Sequence, residues 1–206
     1  MSEPVAIVLA AGAGTRMGQP KALLPWGIGT LLGYQLRELA AAGFAERIVV
    51  AGAAAPPVAD ITVKAGAALV VNTAWEEGRA SSLRVGADAV RRDRDPILVL
   101  NVDQPRPAPI HAGLLGAYRD EPAPIIVPVF QGRRGHPIIL SGALLDELRT
   151  VRDEERGLRA VVERHSSEVR EIDLGDRLIT IDINTPEEYE EARRIFEALA
   201  AEGTTT

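Results

Sequence analysis

The chain of 206 residues has no cysteine, no basic excess and no long apolar run. The missing thiols exclude a disulfide scaffold, a cysteine zinc site, an iron–sulfur cluster and a cysteine nucleophile. Because 29 acidic side chains outnumber 23 basic ones, for a net charge of −6, binding to nucleic acid is not expected. No apolar run approaches the ~20 residues that span a bilayer, and the opening MSEPVAIVLAAG lacks the basic flank of a signal peptide. We therefore expect a cytoplasmic protein with no membrane partner.

The rest of the composition is that of a globular protein, with 46% hydrophobic and 25% charged residues. One domain is the expectation at this length. We assign that domain to residues 1–201 and expect residues 202–206 to form a frayed C-terminal tail.

Short apolar runs alternate with stretches of helical periodicity. The runs are continuous, which predicts strands buried on both faces in a parallel sheet covered by helices. The predicted strands are Val5–Leu9, Arg47–Ala51, Ala68–Val71, Pro96–Val102, Ile125–Phe130, Pro137–Leu140, Val169–Leu174 and Leu178–Ile183. The predicted helices are Thr30–Ala42, Ser81–Arg92, Ala112–Arg119, Gly142–Thr150, Leu158–Arg164 and a last one from a capping box at Thr185 to about Ala200. The pattern predicts a single-domain α/β fold, a mostly parallel Rossmann-like sheet flanked by helices with a small β-hairpin insertion.

The most informative segment is Leu9–Lys21, LAAGAGTRMGQPK, which follows the first predicted strand. Its glycines let the backbone approach a ligand and point N–H groups at an anion. Arg16 and Lys21 add two cations at the carboxyl end of the sheet, where ligands bind in such folds. The segment is therefore typical of a triphosphate site.

Three other interpretations fit this loop less well. A P-loop requires Gly-Lys-Ser/Thr, which Gly18–Lys21 does not match. A dinucleotide fold requires an acid after the second strand, whereas this strand ends Ala51-Gly52-Ala53. A flexible surface loop would leave the two cations without a role.

The loop resembles the signature of the MobA-like nucleotidyltransferases, the family of enzymes that finish the molybdenum cofactor. The resemblance implies a fold of the nucleotide-diphospho-sugar transferase type and a loop that wraps the triphosphate. It implies catalytic roles for Arg16, Lys21 and Asp103. The nucleotide-binding residues it implies in this loop are Leu9, Ala10, Ala11, Gly12, Gly14, Thr15, Arg16 and Lys21.

The segment 72–83, NTAWEEGRASSL, matches a second family segment. The resemblance implies that Gly78 and Ser82, with Ser81, contact the base and ribose. Ser81 is equally suited to cap the following helix, and Trp75 is equally suited to the core.

The segment 98–105, LVLNVDQP, ends a buried strand at Asp103. Mg²⁺ prefers hard oxygen ligands and shares them with substrate phosphates. The family carries an Asp-x-Pro motif here whose Asp binds metal, so the resemblance implies that Asp103 binds Mg²⁺. The common Gly before that Asp is Val102 in this chain, and an Asp in a simple turn after a strand is the alternative.

Two further segments support the resemblance. GRRGHPIIL, residues 132–140, is similar to a family turn at the acceptor pocket. It implies that His136 contacts the acceptor, the alternative being a purely structural histidine. IDINTPEEY, residues 181–189, precedes the last helix. It implies a second metal ligand at Asn184 and an acceptor contact at Asp182, although either of these two residues could complete the metal site.

The resemblance implies a Mg²⁺-dependent transfer of CMP from CTP to molybdopterin, with release of pyrophosphate. It also implies a transient contact with a molybdenum enzyme or its chaperone. The alternatives are a GTP-using molybdopterin guanylyltransferase, a transferase for sugar or alcohol phosphates, a nucleotide-binding module without activity, and a nicotinamide-dependent oxidoreductase. The missing acid after the second strand disfavours the last of these.

Overall fold

The apolar runs form the strands of one central sheet, which the computed structural model describes over residues 2–203. Its strands are β1 (Glu3–Ala10), β4 (Glu46–Ala51), β5 (Ala68–Val71), β6 (Arg94–Asn101), β7 (Ile125–Phe130), β8 (Arg133–Arg134), β9 (Ile138–Leu140) and β10 (Val169–Asp173), while β2 (Pro25–Trp26) and β3 (Gly29–Thr30) form a separate hairpin. The helices are α1 (Leu31–Ala41), α2 (Ala55–Lys64), α3 (Arg79–Ala89), α4 (Ala108–Asp120), α5 (Leu145–Leu148), α6 (Leu158–Arg164) and α7 (Pro186–Gly203).

The sheet has the strand order β10-β7-β9-β6-β1-β4-β5, with β8 paired to β7. Strand β1 is parallel to both β4 and β6, and β4 is parallel to β5. Strand β9 is antiparallel to both of its neighbours, β6 and β7. The predicted fold class is therefore confirmed, and the strands predicted at residues 125–130 and 137–140 pair with each other as a hairpin.

Two apolar layers cover the sheet because successive residues of a strand face opposite sides. On β1, Ala6 and Val8 belong to one cluster and Val5 and Ile7 to the other. Helices α1, α2 and α4 supply buried residues to the first cluster, and α3, α5 and α6 supply them to the second. The continuous apolar runs of the sequence are explained by this burial on both faces.

A third, smaller cluster lies where α7 returns to the hairpin β2–β3. Trp26 is buried there with its ring 5.1 Å from that of Phe196. The start of α7 has the predicted capping box, since the Glu188 N–H donates to the Thr185 hydroxyl and the Glu188 carboxylate accepts from the Thr185 N–H. The helix continues beyond Ala200 to Gly203, and residues 204–206 of the expected tail lie outside the described part of the chain.

Two predicted elements have a different structure from the one expected. The strand predicted at Leu178–Ile183 is wrong, because the chain forms a short 3₁₀ turn at Arg177–Thr180. Its carbonyls bond to Arg106 and to the His136 N–H instead of a neighbouring strand. The helix predicted at Gly142–Thr150 is limited to a 3₁₀ turn followed by the single turn of α5. Helix α2 and the hairpin β2–β3 were not predicted.

Among residues 2–203, we find no helix with the length and apolar character required to cross a membrane.

Candidate functional site

The parallel register of the central strands brings two predicted site segments together. Leu9 of β1 is level with Val50 of β4 and with Asn101 of β6. The Val102 N–H donates to the Leu9 carbonyl at 3.0 Å. The glycine-rich loop after β1 and the Asp103 loop after β6 therefore begin side by side at the carboxyl edge of the sheet, as the topology requires.

The glycine-rich loop folds back on itself just after β1. Gly14 has a φ of +65°, and a side chain there would overlap the Gln19 carbonyl, so only glycine fits. A short 3₁₀ turn at Thr15–Met17 follows, closed by a 2.8 Å hydrogen bond from the Met17 N–H to the Gly14 carbonyl. This turn places Arg16 in solvent at the rim of the site and Lys21 against the Asp103 loop.

Lys21 joins the two residues that were predicted to bind metal. Its ammonium lies 2.7 Å from Oδ2 of Asp103 and donates to Oδ1 of Asn184 at 3.0 Å. These partners are 82 and 163 residues away in the chain. A carboxylate and an amide oxygen thus converge on one cation.

This pair of oxygens fits a hard divalent cation. Asp103 and Asn184 supply oxygen ligands only, and Mg²⁺ commonly takes one or two protein oxygens and completes its shell with substrate phosphates and water. Within residues 2–203, no group of three or more histidine or carboxylate side chains is arranged to hold a metal. The site would therefore depend on the substrate for its remaining ligands.

Buried amide side chains hold the Asp103 loop in place. Gln35 of α1 is fully buried, and its Nε2 donates to the carbonyls of Val102 and Gln104 at 3.3 Å and 2.7 Å. The buried Gln104 side chain accepts in turn from the Asn101 amide. The Ile183 N–H donates to the Asp103 carbonyl at 2.9 Å, which ties this loop to the segment that carries Asn184.

The segment before α3 is also built around a buried amide. Asn72 Nδ2 donates to the hydroxyls of Ser81 and Ser82 at 2.8 Å and 3.0 Å. The alternative role of Ser81, as the cap of the following helix, is wrong, because α3 begins at Arg79 and the Ser81 hydroxyl donates to the carbonyls of Ala74 and Gly78.

Gly78 is the residue that turns the chain into α3. Its φ is +119°, and a side chain there would overlap the Asp153 carboxylate. That carboxylate accepts from the Ala80 N–H at 2.8 Å and so caps the first turn of α3 from the loop before α6.

Most of the predicted nucleotide-binding residues surround one cavity of about 510 Å³. Its lining is Leu9, Ala11, Gly12, Gly14, Arg16, Lys21, Trp75, Glu76, Gly78, Arg79, Ser82, Asn101, Val102, Asp103 and Asn184. Ala10 is buried in the sheet and is outside this lining. Thr15 lies in the 3₁₀ turn of the loop. We call this space the nucleotide cavity.

A second cavity, of about 840 Å³, opens beside the first and shares Leu9, Arg79 and Asn101 with it. Its floor is apolar and its rim is mostly basic. The floor consists of Leu9, Leu83, Val99, Val127, Ile138, Leu158 and Val162, and the charged rim of Arg79, Arg134, Arg156, Arg159, Asp153 and Glu163. We call this space the basic cavity.

The two predicted acceptor residues have different positions. His136 lines the basic cavity, and burial lowers the pKa of its imidazole, which is therefore neutral at neutral pH. Asp182 is half-exposed, and its Oδ1 lies 3.8 Å from the Arg106 guanidinium. Among the described residues, Asp182 is not part of the lining of either cavity.

Sequence reasoning missed Arg106 and Gln35, whose polar atoms support the site from within the core. Arg106 is fully buried and donates to four backbone carbonyls. The sequence offered one signal for each of them: Arg106 is a charged residue between two prolines, and Gln35 is a glutamine on the apolar face of a helix.

The comparison with known proteins decides the family. The model of the MobA-like NTP transferase domain matches residues 6–169. The chain belongs to this family. It is therefore an enzyme of the nucleotidyltransferase type, with the nucleotide-diphospho-sugar transferase fold.

Relatives of this MobA-like chain carry two different functional names. The nicotine blue oxidoreductase of Paenarthrobacter nicotinovorans is 31% identical over 194 residues, covering 88% of this chain and 92% of the relative. The molybdenum cofactor cytidylyltransferase of Escherichia coli strain K12 is 26% identical over 199 residues, covering 95% of this chain and 98% of the relative. Among solved structures, Rv0371c from Mycobacterium tuberculosis H37Rv has a TM-score of 0.81 at 28% identity and covers 94% of this chain and 98% of that one. A manganese complex of Rv0371c has a TM-score of 0.76.

Proposed function

We propose that this enzyme transfers CMP from CTP to a phosphate acceptor, molybdopterin, and releases pyrophosphate. The observation that carries the proposal is the meeting of Lys21, Asp103 and Asn184 at one side of a cavity lined by the glycine-rich loop. Nucleotidyl transfer needs a cavity that positions the triphosphate, positive charge that stabilises the leaving group, and oxygen ligands for a divalent cation. The relative from Escherichia coli, named a molybdenum cofactor cytidylyltransferase, supports the choice of CTP and acceptor.

Nucleotidyl transfer requires charge stabilisation from the enzyme more than covalent catalysis. In the proposed reaction, an oxygen of the acceptor phosphate forms a bond to the α-phosphorus of CTP. The bond between the α-phosphorus and the oxygen that bridges it to the β-phosphorus lies on the opposite side, and it breaks as pyrophosphate leaves. Arg16 and Lys21 line the nucleotide cavity and would balance the charge that grows on the leaving group. No side chain of the enzyme needs to act as a nucleophile.

Asp103 and Asn184 would hold Mg²⁺, which supplies Lewis-acid charge stabilisation when it is bound. The manganese complex of Rv0371c supports a divalent cation in this fold. Because Lys21 contacts both oxygens, its ammonium would have to leave them for a divalent cation to bind there. Triphosphate oxygens are the new partners that we assign to Lys21.

The basic cavity is the place that we assign to the acceptor. Its apolar floor suits an uncharged ring system, and its arginines suit a phosphate. The neutral ring of His136 would offer a hydrogen bond there without adding charge.

The test is pyrophosphate release with Mg²⁺ and molybdopterin, run in parallel with CTP, GTP, ATP and UTP. We expect release with CTP and none without acceptor. Release with GTP alone would assign the guanylyl reaction. No release from protein that binds a triphosphate would remove molybdopterin as acceptor and favour sugar or alcohol phosphates.

A redox function is the second candidate, because the relative from Paenarthrobacter nicotinovorans is named an oxidoreductase. The end of β4 offers no carboxylate for a dinucleotide ribose, and a side chain at Gly52 would meet the Ala11 carbonyl and Trp75. Titration with NADH and NADPH, followed by nicotinamide fluorescence, separates the two functions. Micromolar binding of either dinucleotide would favour the redox candidate.

A further inference from the structure

Arg106 is a buried charge that the proposed reaction does not use directly. Its side chain has no exposure to solvent, and it is the largest of the fully buried side chains. Burial lowers the pKa of its guanidinium to about 10, so the group remains charged at neutral pH. A buried charge is costly unless its hydrogen bonds are satisfied, and an apolar side chain would fill such a space at lower cost.

The guanidinium is satisfied by backbone carbonyls from separate parts of the chain. Nε donates to the His136 carbonyl at 2.9 Å, and Nη2 donates to the Ile179 carbonyl at 2.8 Å. Nη1 donates to the carbonyls of Pro105 and Ile181, both at 2.7 Å. One planar group therefore links the turn at the basic cavity, the Asp103 loop and the segment that leads to Asn184.

These three segments bear the groups on which transfer depends. Asp103 lies three positions before Arg106 in the chain, and Asn184 lies three positions after Ile181. The His136 N–H donates to the Ile179 carbonyl at 2.9 Å, so the acceptor side is bonded to the same carbonyl that Arg106 holds. A small displacement of these segments would alter the distance between the oxygens of Asp103 and Asn184.

We infer that Arg106 is a positioning residue that fixes Asp103, Asn184 and His136 relative to one another. The inference rests on the proposed nucleotidyl transfer, in which the first two residues hold the divalent cation. The guanidinium acts through backbone carbonyls and touches no reacting atom. Outer partners of this kind typically affect metal affinity by about 10–100-fold.

The matched control is Arg47 at the opposite end of the sheet. It lies at the start of β4 and donates to the carbonyls of Leu36, Ala65 and Gly66. It therefore has the same chemistry as Arg106, with no contact to the site. R106K and R47K keep the charge but lose the planar fork of donors, while R106M and R47M remove the charge.

The readout is Mn²⁺ binding in the presence of CTP, followed by electron paramagnetic resonance. We expect R106K and R106M to weaken Mn²⁺ binding by about 10-fold or more, whereas CTP binding in EDTA stays within about twofold of wild type because the glycine-rich loop is untouched. R47K and R47M should change neither binding constant, although they lower thermal stability.

Each other outcome has a distinct meaning. Wild-type Mn²⁺ affinity in folded R106K and R106M would overturn the positioning role alone. Equal losses in the Arg106 and Arg47 variants, or loss of the folded circular dichroism spectrum in both Arg106 variants, would assign Arg106 a purely structural role. Failure of the wild-type enzyme to bind Mn²⁺ with any of the four triphosphates would overturn the proposed function and this inference together.

Discussion

Lys21 is the residue on which the account depends most at the scale of single side chains. Its ammonium contacts Asp103 and Asn184, and only 19% of the side chain is exposed to solvent. A cation in this place keeps the two oxygens close together before any substrate arrives. In the proposed function the same ammonium would compete with a divalent cation for these oxygens, and Lys21 would thereby link metal binding to nucleotide binding.

Replacing Lys21 with alanine should therefore have two opposite effects. Mn²⁺ affinity without nucleotide should rise, because the competing ammonium is gone, while CTP affinity should fall more than acceptor affinity. Calorimetric titration of each ligand measures both. Lys64→Ala is the control, since Lys64 is exposed on α2. Equal losses for CTP and acceptor would contradict the assignment of Lys21 to the triphosphate.

Asp103 supplies the one charged oxygen of the proposed metal pair. Asp103→Asn keeps the shape and a hydrogen-bond acceptor but removes the charge, so turnover should fall by on the order of 10²-fold or more. Steady-state pyrophosphate release measures this. Asp60→Asn on the exposed side of α2 is the control. Near-normal turnover of the Asp103 variant would refute its metal role.

At the scale of elements, the close approach of α3 to the sheet matters for the nucleotide cavity. A side chain at Gly86 would lie 2.6 Å from Cγ2 of Ile7 and 3.0 Å from Cγ2 of Val50. The first turn of the same helix carries Arg79 and Ser82 into the cavity lining. The glycine thus lets the helix bring those residues to the carboxyl edge of the sheet.

Gly86→Ala should lower the free energy of unfolding by about 1–3 kcal/mol through overpacking. Gly116→Ala in α4 is the matched control, because nothing lies within 4 Å of the added methyl group, and it should raise stability by up to about 1 kcal/mol through helix propensity. Urea denaturation measures both. A neutral effect at Gly86 would mean that α3 can shift away from the sheet at little cost.

Strands buried on both faces were the elements most readily predicted from the sequence. Ile125–Phe130, whose first five residues are buried, has the predicted bounds, because a continuous apolar run flanked by turn residues is typical of a strand in a helix-covered sheet. Ala68–Val71 also has the predicted bounds, although this strand at the edge of the sheet is only partly buried. Residues 178–183 are also rich in apolar side chains, three of which are buried: Leu178, Ile179 and Ile183. Side-chain pattern alone does not reveal that the carbonyls of this segment bond to a distant arginine.

In the candidate site, too, some residues could be predicted from the sequence and others could not. Lys21, Asp103 and Asn184 follow recognisable sequence motifs, so their meeting at one edge could be predicted before the structure was known. Gln35 and Arg106 could not be, because their partners are backbone carbonyls 66–69 and up to 75 residues away. Sequence motifs indicate the side chains that face a ligand, whereas hydrogen bonds from side chains to distant backbone carbonyls depend on the tertiary structure.

At the scale of the whole molecule, stability should depend on pH through a histidine that is remote from solvent. His111 of α4 is fully buried, and burial, followed by the nearby Arg106 charge, lowers the pKa of its imidazole to about 3. In the unfolded chain the group titrates near ~6.5. Between these values only the unfolded state binds the proton, so stability falls as the pH decreases from about 6.5 towards 3.

His111→Leu should remove this part of the pH dependence. Relative to wild type, the variant should gain about 1.4 kcal/mol per pH unit between pH 6 and pH 4, as measured by urea denaturation. His165→Leu should instead lose stability relative to wild type at low pH, and this loss should shrink as the pH rises above about 6.5, because hydrogen bonds to Glu168 and Glu147 raise the pKa of that partly buried imidazole. Parallel stability curves for wild type and His111→Leu would show that folding does not lower the pKa of His111.

The central claim concerns which bond forms in the product, and phosphorus NMR tests it most directly. The enzyme is incubated with CTP, molybdopterin and Mg²⁺, with the Asp103→Asn variant as the matched control. The account predicts free pyrophosphate together with a new diphosphate bridge between CMP and the acceptor phosphate, both greatly reduced in the variant. Unchanged CTP and acceptor, or CMP without a bridged product, would contradict nucleotidyl transfer to molybdopterin.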